Sequence, residues 1–174
     1  MTPRPAVFFD RDGTLIEEVH YCGDPARVRI LPGVPEALER LKRAGFLVFV
    51  ITNQSGIARG IITEAQYRAV EAEMLRQAGA GHIDGVYFCP DAPGAASPRR
   101  KPEPAMLLEA AAAHGVDLAR SFSVGDKADD VECGRRAGVR TILVRTGYGA
   151  EQQCAPDCTV ADAPAAVDWL LHRK

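Results

Sequence analysis

Short, mostly apolar runs alternate with stretches of helical periodicity along the whole chain, and this alternation limits the possible folds more than any other feature. Ala6 to Phe9, Phe46 to Ile51, Val86 to Cys89, Phe122 to Val124 and Thr141 to Val144 are rich in Val, Ile and Phe and bounded by turn residues, so they read as buried strands. Between the first two, Val34, Ala37, Leu38 and Leu41 keep the i, i+3, i+4, i+7 spacing of an amphipathic helix, and Gly45 suits its left-handed cap. Thr63 with Gln66 forms a capping-box pattern that opens a helix carrying Tyr67, Val70 and Met74 and ending near Gly79. Pro104 and Gly115 bracket an alanine-rich helix, and Lys127 to Ala137 reads as another, closed by Gly138. Strands joined through helices require right-handed crossovers and a parallel sheet covered on both faces. The expected fold class is therefore α/β, a three-layer Rossmann-like parallel sheet.

Two stretches depart from the pattern. Leu15 to Leu31 has mixed polarity and reads as a flap or loop. Pro90 to Pro104 contains Pro93, Pro98 and Pro102 beside Gly94 and Ala95-Ala96-Ser97, which cannot sustain a helix or a central strand.

Composition narrows the class of function. With 174 residues, 47% apolar and 25% charged, the chain has the make-up of one ordinary globular domain, and residues 1–174 are expected to form it. Twenty-one Lys and Arg against 23 Asp and Glu give a net charge of −2, so no general basic field is present to recruit nucleic acid or an anionic membrane. The longest strongly apolar stretch, Phe46 to Ile51, falls far short of the roughly 20 residues of a membrane-spanning helix. No leader-like run precedes Asp10, which points to the cytoplasm. The five scattered cysteines read as reduced thiols, Cys154 and Cys158 included, and the even spread of charge points to a monomer.

In open parallel sheets ligands bind beyond the carboxyl ends of the strands. Three strand ends carry polar clusters here: Asp10 and Asp12, then Thr52 to Ser55, then Gly125-Asp126-Lys127. A fourth cluster, Arg99-Arg100-Lys101, follows the proline-rich loop. Carboxylates gathered at one mouth repel one another unless a divalent cation or a bound proton relieves them, and an all-oxygen set favours Mg²⁺. Thr52, Lys101 and free backbone amides supply donors for a dianionic phosphoryl group, so the mouth is suited to phosphoryl transfer.

At these residues the resemblance becomes specific. Asp10-Arg11-Asp12-Gly13-Thr14, Thr52 after a second strand, Lys101 before a helix and Gly125 to Asp130 resemble the four motifs of the haloacid dehalogenase superfamily of phosphohydrolases. Val50 to Gly60, Arg100 to Pro102, Ser123 to Lys127 and Val144 to Gly149 are similar to its heptose bisphosphate phosphatase branch, a relative of the histidinol-phosphatases. The resemblance implies a capless enzyme that hydrolyses a small phosphosugar and supplies nucleotide-activated heptose for lipopolysaccharide core. It implies Asp10 as nucleophile, Asp12 as general acid and base, and Thr52 and Lys101 as holders of the transferring phosphoryl group. Mg²⁺ would lie on Asp10, the main-chain carbonyl of Asp12 and Asp126, with Asp130 accepting from metal-bound water. Glu18, Val19, His20, Tyr21, Asn53, Gln54, Ser55, Arg100 and Lys127 would contact substrate. Arg100 offers the bidentate fork suited to a second phosphate, and Arg59 is a further candidate by position.

One departure from the family stands out. Its members commonly carry a zinc loop, Cys-x-His followed by Cys-x-Cys just before Arg-Lys-Pro. Here Cys89 starts the segment, Asp91 stands where the His would be, and no Cys or His occurs between Pro90 and Lys101. A tetrahedral site needs about four such ligands, so no structural zinc is expected and the loop should be held by its prolines and packing. Histidinol phosphate or another sugar phosphate as substrate, or a phosphosugar-binding regulatory role without catalysis, remain the competing readings.

Overall fold

The computed structural model describes residues 2–172. Six strands, β1 (Ala6–Phe9), β2 (Leu47–Asn53), β3 (Gly85–Cys89), β4 (Phe122–Gly125), β5 (Arg140–Val144) and β6 (Cys158–Val160), pair in parallel in the order β3-β2-β1-β4-β5-β6. Four helices, α1 (Val34–Arg43), α2 (Glu64–Ala78), α3 (Ala105–His114) and α4 (Ala128–Arg136), supply the crossovers from β1 to β5, and α5 (Ala163–Leu171) follows β6.

The central strand shows why these residues adopt this fold. All four side chains of β1 are buried, and the period of two sends them to opposite faces. Val7 and Phe9 join Val48 and Val50 in the core under α1, α2 and α5; Ala6 and Phe8 join Leu47, Phe49 and Ile51 under α3. The apolar stripe of α1, Val34, Ala37, Leu38 and Leu41, is buried against the first face. Each of its large members contributes about 1.5–3 kcal/mol by leaving water. The capping box at α2 forms, with Gln66 N donating to Thr63 Oγ1 at 3.1 Å and Thr63 N to Gln66 Oε1 at 2.8 Å.

Strand order reverses between β1 and β4, since β1 to β3 run outward on one side and β4 to β6 on the other. A crevice beyond the carboxyl ends of β1 and β4 is the place such a sheet offers a ligand. Asp10 N donates to Val124 O at 2.9 Å and closes the seam where the two strands part. Between β1 and α1 the chain forms one short 3₁₀ turn, Pro25–Arg27, and between β3 and α3 a loop, so neither interval holds a cap. The expected flap is nevertheless anchored: Leu15, Ile16 and Val28 are buried in the core, and Ile16 bridges to Ile30.

Several strand boundaries differ from the sequence expectation. β2 continues through Thr52 and Asn53, which pair with Phe88 and Cys89 of β3, so the polar cluster begins on the strand itself. β4 likewise runs to Gly125. The edge strand β6 and helix α5 lie outside the expected elements. β6 is three residues long and half-buried, too short for a periodic signal. α5 carries a start signal in Asp162, whose side chain accepts from Ala165 N, followed by Pro164 in the first turn.

Candidate active site

A cavity of about 450 Å³ opens at the switch point, within the size range of small-molecule sites. It gathers residues from all four sequence clusters and from the flap. Asp10, Asp12, Glu18, His20, Tyr21, Thr52, Asn53, Gln54, Ser55, Arg100, Lys101, Lys127 and Asp130 line it, as the sequence leads one to expect. Val19 does not; it is partly buried and packs against the hydrophobic core. Arg59 also stays outside, its guanidinium stacked over the Tyr21 ring and hydrogen-bonded to the Tyr21 hydroxyl. The flap presents His20 and Tyr21 in left-handed backbone conformation, at φ 42° and 54°, with His20 N held by Glu18 Oε1 at 2.8 Å.

Lys101 is the electrostatic hub. Only 6% exposed, its Nζ donates to Asp10 Oδ1 at 2.7 Å, Asp130 Oδ1 at 2.6 Å and Ile51 O at 2.8 Å. Burial opposes its charge, but Asp10 and Asp130 outweigh burial and hold its pKa above the usual value. Asn53 fixes the lysine's backbone reciprocally, donating Nδ2 to Lys101 O at 3.1 Å and accepting from Lys101 N at 3.0 Å. Gln54 Nε2 bridges Asp12 Oδ2 and Thr52 Oγ1, both at 2.9 Å. These two amides, expected as substrate contacts, are already committed to aligning their neighbours.

The acidic side of the site is short of cations. Asp12 has Arg11, while Asp10 and Asp130 share Lys101; among the described residues no ion pair reaches Asp126. Asp126 is fully buried, Tyr148 N donates to its Oδ2 at 2.9 Å, and its Oδ1 is without a hydrogen-bond partner. Burial first, then the charge of Asp10, pushes its pKa from the ordinary 3.8 up to about 8. Asp130 is raised too, by burial and Asp10 against the opposing pull of Lys101.

Oxygens of Asp10, Asp126 and Asp130 all lie within 4.8 Å of one another. A buried orphan oxygen beside two more carboxylates, with no nitrogen or sulfur donor in the set, fits a hard divalent cation such as Mg²⁺. Both oxygens of Asp130 are occupied, Oδ1 by Lys101 and Oδ2 by Lys127 N at 3.0 Å, so it is better placed to support a ligand than to be one. Gly13 and Gly147, at φ 80° and 56°, leave space around Asp126: a Cβ on either would collide with its Oδ2.

Sequence reasoning missed Arg11, Tyr148 and Gln152, which also line the cavity. Arg11 lies inside the recognised motif, between two aspartates, but its burial is seen only in the structure. Tyr148 and Gln152 follow β5 in a segment without periodicity. Gln152 Oε1 accepts from Ala128 N at 2.9 Å, and the Tyr148 ring lies 4.9 Å from Lys127 Nζ.

An open parallel sheet with carboxylates and a buried lysine at its switch point defines a haloacid dehalogenase-like hydrolase, and the family model described as HAD-hydrolase-like matches residues 98–167. The D-glycero-beta-D-manno-heptose-1,7-bisphosphate 7-phosphatase of Rhodopseudomonas palustris is 44% identical over 145 residues, covering 78% of this chain and 81% of the relative. The D-glycero-D-manno-heptose-1,7-bisphosphate 7-phosphatase of Thermosynechococcus vestitus is 38% identical over 97% of this chain and 96% of its own. A crystal structure of D,D-heptose 1,7-bisphosphate phosphatase from B. bronchiseptica, complexed with magnesium and phosphate, superposes with a TM-score of 0.87 at 32% identity, covering 96% of this chain and 98% of that one. The chain belongs to this family of phosphoric monoester hydrolases.

Proposed function

We propose that the protein removes the C7 phosphate of D-glycero-D-manno-heptose 1,7-bisphosphate in a Mg²⁺-dependent reaction through an aspartyl phosphate on Asp10. The observation that carries this reading is the meeting of Asp10, Asp126, Lys101 and Thr52 at the switch point, with Asp126 Oδ1 unpartnered. The relatives' names and the magnesium and phosphate of the B. bronchiseptica enzyme support the substrate and the metal.

Asp10, Asp126 and the main-chain carbonyl of Asp12 would hold Mg²⁺, which when bound offsets the charge of the carboxylates and of the phosphoryl oxygens. Lys101 holds Asp10 Oδ1 and so fixes the plane of the carboxylate that attacks phosphorus. As the Asp10 O–P bond forms, the bond from phosphorus to the C7 oxygen breaks, and Asp12 gives its proton to that oxygen. In the second half Asp12 takes a proton from water, the water oxygen attacks phosphorus, and the bond to Asp10 breaks. Inorganic phosphate leaves with Asp10 restored. Lys101 and the Thr52 hydroxyl face the charge that grows on the transferring oxygens. Arg100 and Lys127, farther out in the mouth, meet the rest of the substrate and its second phosphate.

Phosphate release with Mg²⁺ from both anomers of the heptose bisphosphate, beside histidinol phosphate and a panel of sugar phosphates, tests the reading. A preference for one heptose anomer of more than about a hundredfold in kcat/KM, or about 2.7 kcal/mol, is expected. Comparable low rates on every substrate would remove the heptose assignment.

A further inference from the structure

The loop between β3 and α3 contains a tied cluster of side chains that phosphoryl transfer does not use. The family's zinc ligands precede Arg-Lys-Pro, and counting from Cys89 and back from Arg100 their four places fall on Cys89, Asp91, Ser97 and Arg99. This donor set does not fit the ion. One thiol and one carboxylate remain, a serine hydroxyl is a poor ligand, and a guanidinium is itself a cation.

The side chains at these places bind one another instead. Cys89 Sγ, buried, donates to Asp91 Oδ2 at 3.4 Å and lies 3.6 Å from Ser97 Oγ. The polar side chains of Ser97 and Cys89 beside it hold the Asp91 pKa below its usual value. Burial keeps the Cys89 thiol pKa raised, so the sulfur serves as a neutral donor rather than a thiolate. Arg99 closes the loop from outside, Nη2 donating to Phe88 O at 3.1 Å while Nη1 pairs with Glu109 of α3. The outcome of the cluster is the placement of Arg100, whose Nη1 donates to the Asp91 main-chain carbonyl at 3.0 Å and whose side chain lines the cavity.

We propose that Asp91 is a positioning residue at the centre of a zinc-independent brace: tied through its carboxylate to Cys89, whose sulfur also meets Ser97, it offers its main-chain carbonyl to Arg100 and sets that guanidinium toward the part of the substrate distant from the transferred phosphoryl group. What Arg100 meets there rests on the phosphosugar reading; the brace itself does not.

Three measurements on the full chain decide it. Elemental analysis of protein produced with zinc supplied should find it substoichiometric, and a zinc-selective chelator should leave the Tm unchanged. Asp91→Ala should speed tryptic cleavage after Arg99 and Arg100 severalfold. With the bisphosphate it should raise KM about tenfold, as loss of one charged hydrogen bond does, with kcat held within about twofold. Asp91→Asn, which keeps one side-chain acceptor oxygen for Cys89, should restore most of both properties, and Ser97→Ala should shift them the same way by less. One zinc per chain, or a Tm lowered by the chelator, would overturn the metal-free brace. Unchanged proteolysis and KM in Asp91→Ala, or equal loss of kcat with a substrate bearing one phosphate, would overturn the positioning role. Should the wild type fail to turn over the bisphosphate at all, the phosphosugar reading falls, while the metal and proteolysis results still decide the brace.

Discussion

Arg11 grips both carboxylate oxygens of Asp12, Nε donating to Oδ2 and Nη2 to Oδ1, each at 3.0 Å. The guanidinium is 1% exposed and lies 5.4 Å over the Tyr67 ring, so its position is set by packing as well as by charge. Its own main-chain carbonyl accepts from Leu15 N at 3.0 Å and Ile16 N at 3.1 Å, which fixes the turn that follows Asp10. With Gln54 on the same carboxylate, the side chain proposed to move the proton is aligned from two sides.

Replacing this arginine separates alignment from mere folding. Arg11→Met keeps the length and apolar stem but leaves Asp12 with Gln54 alone, which should cost about 1–3 kcal/mol of stability through the lost hydrogen bonds to its carboxyl group. Steady-state kinetics should show kcat down at least about tenfold with KM within about threefold, because an unaligned Asp12 affects the transition state more than binding. Arg11→Lys, with a cation but no fork, should recover only part of kcat. An unaltered kcat in Arg11→Met would remove Arg11 from the reaction.

The raised pKa of Asp126 makes metal binding pH-dependent in a definite direction. Its folded pKa of about 8 lies above the ordinary 3.8, so folding of the metal-free protein takes up a proton in that window. This group's contribution to stability is therefore greatest at low pH and is lost as pH rises through about 8. Mg²⁺ requires the carboxylate and must displace the proton below that pH. The Tm increment on adding saturating Mg²⁺ should thus be larger at pH 9 than at pH 6, and calorimetry should detect proton release on binding at pH 6 that vanishes at pH 9. Equal increments and no proton release would exclude Asp126 as a ligand.

The backbone around Asp126 offers a test that leaves every carboxylate in place. Gly147 sits at φ 56°, and a Cβ there would collide with Asp126 Oδ2, the oxygen held by Tyr148 N. Gly147→Ala should cost about 1–3 kcal/mol from the left-handed backbone alone. Because it also displaces Asp126, the Mg²⁺ concentration for half-maximal activity should rise at least about tenfold. A Tm loss with unchanged Mg²⁺ dependence would show that the carboxylate's placement does not control the metal.

How far the sequence carries depends on whether a residue's role is local. The Ala6 to Phe9 run, the capping box at Thr63 and Gln66, and the glycine at 115 are decided by neighbours in the chain, and the structure has them where the pattern puts them. Asp10, Thr52, Lys101 and Asp126 were legible as strand-end or helix-start residues in motif order. The commitment of Asn53 to the Lys101 backbone, 48 residues away, was not, because the amide's partner is set by the β2–α3 packing rather than by spacing. The packing of Val19 on the core was hidden for the same reason: the flap reads as a segment of mixed polarity, and an irregular segment does not tell which side chains turn inward. Arg11 was hidden by its type, since its burial depends not only on the adjacent Asp12 carboxylate but on the Tyr67 ring, which reaches it only in three dimensions.

Asp10 has two possible duties, counter-ion to Lys101 or nucleophile in a crowded anionic site, and Asp10→Asn distinguishes them. If its main duty were to pair with the buried lysine, the substitution would break a buried ion pair and lower stability by about 3–5 kcal/mol. Lys101, however, keeps Asp130 at 2.6 Å, so its charge is not orphaned, while the charge of Asp10 is one of the causes that raise Asp126 and Asp130. Removing a like charge from that cluster should stabilise the metal-free protein by about 1 kcal/mol, which raises Tm by about 2–4 °C for a chain of this size. Turnover should fall by at least about a thousandfold, since the amide cannot form the acyl phosphate. A variant more stable than wild type without Mg²⁺, yet inactive with it, is the expected result. A lower Tm together with retained turnover would instead make Asp10 a structural counter-ion and leave the proposed mechanism without its nucleophile.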